Sequence, residues 1–136
     1  MGYRKVTLFL LFSFLLAALA WGRDDRLINT GIAPAAEGTV STDNDRNGNT
    51  GVSIHVKHMA TPQSLTPAKQ TYLVWVQPRG KEAELLGALR VNENLEGSLK
   101  AETTYKDFDI LVTAEDNMKP EMPSSLVILK GTVARK

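Results

Sequence analysis

The chain has no cysteine. That excludes a disulfide scaffold, thiolate zinc sites, a cysteine nucleophile and lipid attachment through an N-terminal cysteine. Aromatic residues make up 7% of it, and neither sign of charge dominates: 16 Lys+Arg stand against 15 Asp+Glu, a net charge of +1. A chain so balanced is not a polycationic binder of nucleic acid or lipid headgroups. No phosphate loop, no G-x-G-x-x-G and no G-x-S-x-G frame occurs in its 136 residues. What is present, 43% apolar and 23% charged residues, is the composition of a globular chain, and the length suits one domain.

The first residues read as an address. Arg4 and Lys5 precede an apolar run from Val6 to Ala20 that only Thr7 and Ser13 interrupt. Ala18-Leu19-Ala20 supplies the small-x-small pattern that a signal peptidase pocket admits, so residues 1–20 are expected to be a cleaved secretory signal peptide. The competing reading is a retained anchor with Arg4 and Lys5 in the cytoplasm, but the run is shorter than the roughly 20 residues that span a bilayer. No second run of that kind follows. Export to the periplasm or the medium, without stable membrane insertion after cleavage, is therefore the expectation.

From Trp21 to Pro34 no period is sustained, and this stretch reads as a flexible N-terminal arm. Residues 35–136 read as the folded domain. Val52, Ile54 and Val56 alternate with Ser53, His55 and Lys57, which puts one apolar row against a core. Thr39 to Asp43 is the natural hairpin partner, with Asn47-Gly48 at the reversal. Thr71 to Gln77 is apolar on both faces, which suits a central strand covered on two sides. Leu85 to Val91, Leu95 to Ala101, Phe108 to Glu115 and Leu126 to Val133 complete the set. Turn signals recur about every dozen residues. The expected fold is all-β, a two-layer immunoglobulin-like β-sandwich of about seven strands. The one helix-compatible patch, Lys81 to Leu89, is bracketed by Gly80 and Gly87 too closely for more than a turn or two.

Several of these pieces resemble the extracytoplasmic C-terminal domain of anti-sigma-K factors, in that family's order. They are Tyr72 and Trp75 in a Y-x-x-W strand, Leu86-Gly87 with Leu89, Val112-Thr113-Ala114-Glu115, Pro123, and Leu129-Lys130-Gly131. The resemblance covers about residues 70–133. It implies a small β-sandwich on the extracytoplasmic side of the membrane, acting through another protein. Two departures limit it. No anti-sigma domain with its His/Cys motif accompanies the sandwich, and Asp116-Asn117-Met118-Lys119 stands where the family has a glycine-rich turn. Sigma-factor inhibition by an exported chain is not implied.

Candidate sites are few. Asp43, Asp45 and Asn47 fall at positions one, three and five of a calcium-loop pattern with Gly48 at six, so a calcium-stabilised module using Asp43 to Asn49 is the alternative reading. Position twelve, however, is Ile54, where the bidentate acid belongs; the other reading is a solvated hairpin tip. His55 and His58 have H-x-x-H spacing, but on a strand positions three apart face opposite ways, which favours surface histidines. Tyr72, Trp75 and Phe108 could form an aromatic platform; Trp75 and Phe108 are expected in the core instead, with Tyr72 open. The acids Glu82, Glu84, Asp107, Asp109, Glu115 and Asp116 and the pair Ser124-Ser125 show no frame that marks catalysis, so a small hydrolase is the least favoured reading. No catalytic residue, cofactor or metal is assigned. The expected role is that of a non-catalytic envelope module that binds another protein, with Met59 to Ala68 and Asp116 to Ser125 as the recognition loops.

Overall fold

The computed structural model describes residues 24–134. The expected signal segment, residues 1–20, and the adjoining residues 21–23 lie outside the described residues. Among the described residues no helix is long and apolar enough to cross a membrane.

Among the described residues there are nine strands: β1 (Asp24–Arg26), β2 (Ile28–Asn29), β3 (Glu37–Asn44), β4 (Thr50–Lys57), β5 (Thr71–Pro78), β6 (Glu84–Leu89), β7 (Gly97–Thr103), β8 (Asp107–Glu115) and β9 (Val127–Ala134). They form two antiparallel sheets, β1-β3-β4-β7 and β2-β9-β8-β5-β6. The chain passes between the sheets at β1–β2, β2–β3, β4–β5, β6–β7 and β7–β8, so the layers are stitched by crossovers in the manner of an immunoglobulin-like sandwich. The seven strands expected from the alternation are all there. Lys81 to Leu89 enters β6, with no helix.

The hairpin β3–β4 has the register its rows require, with Val40 opposite Ile54 and Thr42 opposite Val52. Gly48 takes φ +81° at the reversal, a backbone conformation that costs glycine nothing. Between the sheets lie Val40, Val52, Ile54 and Val56 from one layer and Tyr72, Val74, Val76, Ile110, Val112, Leu129 and Val133 from the other. All are almost completely buried, so packing carries the stability that disulfides supply elsewhere.

The two extra strands correct the expectation of a flexible arm. Asp24–Arg26 pairs with β3 in one sheet, and Ile28–Asn29 pairs with β9 in the other. Leu27, between them, drops into the gap between the layers and is 7% exposed. Room for it exists because Gly38 and Gly131 face it: a Cβ at Gly131 would stand 2.6 Å from Leu27 Cδ2, and one at Gly38 would stand 3.0 Å from Leu27 Cδ1. The N-terminal segment thus closes one side of the sandwich as a strap with a single apolar peg.

The aromatic expectations divide. Phe108 and Tyr72 are in the interlayer core. Trp75 is buried, but on the opposite side of β5, opposite Leu85 and Leu111 in the register. Strand alternation dictates this: once Tyr72, Val74 and Val76 point inward, Leu73 and Trp75 point the other way.

Candidate functional site

The strand registers gather four connections at one end of the sandwich. Glu37 at the start of β3 lies opposite Lys57 at the end of β4, and Val56 lies opposite Gly97 at the start of β7. In the other sheet Thr71 opens β5 opposite Glu115 at the end of β8, and Tyr72 lies opposite Leu89 at the end of β6. The segments 30–36, 58–70, 90–96 and 116–126 therefore share that end. Both loops singled out from the sequence are among them, joined by an ion pair between Lys69 Nζ and Asp116 Oδ2 at 3.1 Å.

Each of these segments is fixed by its own hydrogen bonds. In 30–36, Asn29 Nδ2 donates to the carbonyls of Ala33 and Ala36, and Thr30 Oγ1 donates to Val127 O at 2.6 Å. In 58–70, a single 3-10 turn runs over Pro62–Ser64, the Lys69 amide donates to Pro62 O, and the Tyr72 hydroxyl donates to Ala60 O at 2.6 Å. Burial pushes the Tyr72 phenol up to about 12, so the hydroxyl stays a donor. In 90–96, Asn92 Oδ1 accepts from the amides of Asn94 and Glu96, while Leu95 O accepts from the Met59 amide. That turn holds Leu95 at φ +60°, a region that a branched apolar residue enters at a cost.

The fourth segment hangs on a polar chain that the sequence did not reveal. Trp75 Nε1 donates to Thr113 Oγ1 at 2.8 Å, and the Thr113 hydroxyl donates to Glu115 Oε2. Glu115 Oε2 also accepts from the Ser124 amide at 2.9 Å. Ser124 Oγ donates to Ala114 O and accepts from the Leu126 amide. Thr113 is fully buried and Glu115 nearly so, which is tolerable because the Thr113 hydroxyl and Glu115 Oε2 each have partners. The carboxylate pins the return of the loop onto the sheet.

On this fixed frame the tips are apolar. Of the five large hydrophobic side chains that stand exposed among the described residues, four lie in these segments: Ile32 at 37%, Leu95 at 41%, Met118 at 52% and Met122 at 70%. The charges around them, including Lys119, Glu121 and Glu93, are of both signs.

The remaining candidates sit elsewhere. Asp45 Oδ1 accepts from the amides of Asn47 and Asn49, closing the hairpin tip on itself. Ile54, at position twelve of the calcium pattern, is completely buried in the core and offers no oxygen. Among the described residues no three His, Asp or Glu side chains cluster as a metal site would need. His55 is exposed on β4, and His58, beyond its end at φ +53°, stands 3.9 Å from Glu37. Two of the acids at the opposite end are engaged: Glu84 accepts from the Tyr105 hydroxyl and Asp109 from the Thr132 hydroxyl. An open hollow of about 600 Å³ lies there, lined by Gln77, Arg79, Phe108 and Asp109 among others. The Ser124 hydroxyl is committed to backbone groups.

Comparison with models of known protein families finds no match, and neither does comparison with curated proteins.

Proposed function

We propose that the chain is an exported, non-catalytic β-sandwich module that binds another protein of the cell envelope through its apolar-tipped loop end. The observation that carries this reading is the convergence of Ile32, Leu95, Met118 and Met122 on one end of the molecule. Single exposed apolar side chains are normal on any surface, whereas a cluster rimmed by polar residues marks an interaction site. Methionine suits such a site, since its unbranched thioether adapts to the partner's relief. The hydrogen bonds that tie the loops to the sandwich lower the ordering cost of association. The pattern of residues 1–20 supports export, and the resemblance to anti-sigma-K extracytoplasmic domains supports a regulatory or structural role outside the cytoplasm.

The test compares three baits in envelope extracts: the unaltered protein, a tip variant carrying Leu95→Asn, Met118→Ser and Met122→Ser, and a control with Arg46→Ser and Arg79→Ser at the opposite end. A protein retained by the first and third baits and lost from the second is the expected outcome. Equal retention by all three would overturn the reading.

A further inference from the structure

We propose that β7 is a homodimerisation edge, along which two copies of this chain pair antiparallel about Ala101. Each sheet of the sandwich has two edges, and three of the four are unsuited to pairing. Among the described residues β1 and β2 are three and two residues long. β6 carries a bulge where its register against β5 shifts between Val74 and Trp75, and bulged edges twist away from an incoming strand. β7 is different. Its seven residues pair in unbroken register with β4, from Thr50 opposite Thr103 to Val56 opposite Gly97. Among the described residues no strand pairs with its other side.

The occupant follows from the charge pattern. Lys100 and Glu102 are both exposed and share the outer face of the sheet, where their β4 neighbours are the small Ser53 and Gly51 and the nearest other charge is the Asp43 carboxylate, which lies over Gly51. The two ion pairs among the described residues, His58–Glu37 and Lys69–Asp116, lie elsewhere. A charged edge usually repels strands, and here too most registers do so. Antiparallel pairing centred on Lys100 sets lysine against lysine, and pairing centred on Glu102 sets glutamate against glutamate. Pairing centred on Ala101 places Lys100 of each copy opposite Glu102 of the other, twice, with small alanines at the axis. Directly opposed unlike charges stabilise a strand pair, and like charges destabilise it. The edge therefore selects a second copy of itself in one register. Leu99 then meets Thr103 across the pair, and the two four-stranded sheets become one. This dimer leaves the loop end free, so it stands independently of the function proposed above.

The experiment is a charge swap read by sedimentation equilibrium of the purified protein over a concentration series. The unaltered protein is expected to double its mass with rising concentration. Lys100→Glu and Glu102→Lys each turn both attractive pairs repulsive, so each alone is expected to weaken association roughly 30-fold. Mixing the two variants restores both attractive pairs, so the mixture is expected to dimerise again, as is the double variant K100E/E102K. Recovery in the mixture also shows that neither single variant is misfolded. An unaltered protein that stays monomeric up to about 1 mM would overturn the proposal. So would a single variant that dimerises undiminished, or a mixture that stays monomeric.

Discussion

Leu27 is the most exacting place to test how the two sheets are held. Its side chain is the peg between them, and truncation to alanine removes apolar contact on both sides at once. Buried Leu→Ala changes cost about 2–5 kcal/mol depending on how far the site collapses. Leu27 sits at the sandwich margin, 7% exposed, between two glycines that bring no side chains to fill the gap. About 3 kcal/mol is the expected loss, read in urea unfolding as a lower midpoint at unchanged slope. The geometry goes further. Gly131→Ala puts a Cβ 2.6 Å from Leu27 Cδ2, an overpacking that costs roughly 1–3 kcal/mol. In the Leu27→Ala background that neighbour is gone, so the second substitution is expected to cost little, a favourable coupling of about 1–2 kcal/mol. Gly38→Ala is the internal control: its Cβ would also meet Leu129 Cδ1 at 2.8 Å, so removing Leu27 relieves it only in part. Strict additivity of L27A and G131A, or a loss below about 0.5 kcal/mol for L27A alone, would refute the clamp.

Two further expectations follow from buried polar groups. Glu115→Ala leaves the Thr113 hydroxyl and the Ser124 amide without their acceptor. A loss of about 1–3 kcal/mol is expected, together with faster amide exchange at Ser124 and Leu126 than in the unaltered protein; unchanged exchange there would show that the carboxylate does not hold the loop. Tyr72 gives a pH dependence with a definite sign. Its folded pKa of about 12 lies above the unfolded value of 10.0, so the unfolded chain gives up this proton first as pH rises. Its contribution is complete below pH 10 and is lost between pH 10 and about 12. Denaturant midpoints across that range should fall less steeply in Tyr72→Phe, and identical slopes would contradict the burial.

Where the chain alternates strictly, the fold was legible. Val52-Ile54-Val56 and Phe108-Ile110-Val112-Ala114 each named their strand and its inward face, because a period of two admits one structure, while β4 begins two residues earlier, at Thr50. Asn47-Gly48 named the reversal but not the register: a two-residue turn there would set Asp45 opposite Thr50, whereas Asn44 lies opposite Thr50. Legibility failed where period or context was missing. Leu27 and Ile28 stand together between charged and polar residues, one buried and the other exposed, and two adjacent apolar residues show no period. Thr71 to Gln77 is apolar on both faces, so alternation could not say whether Tyr72 or Trp75 looks inward. Glu115 reads as a solvated strand end until Ser124, nine residues on, is seen to return to it. The loop end is a matter of register: Ile32, Leu95, Met118 and Met122 span most of the chain, and only strand pairing brings them to one place.

Site-specific photo-crosslinking tests the central claim, that the apolar-tipped end is the binding surface, most directly. A crosslinking side chain is placed at position 95 or 122 at the tips, and at 46 or 79 at the opposite end, in otherwise unaltered protein in the envelope. The account expects one common protein adduct from 95 and 122 and none from 46 and 79. An adduct formed only from the opposite end, or none from either tip position, would contradict it.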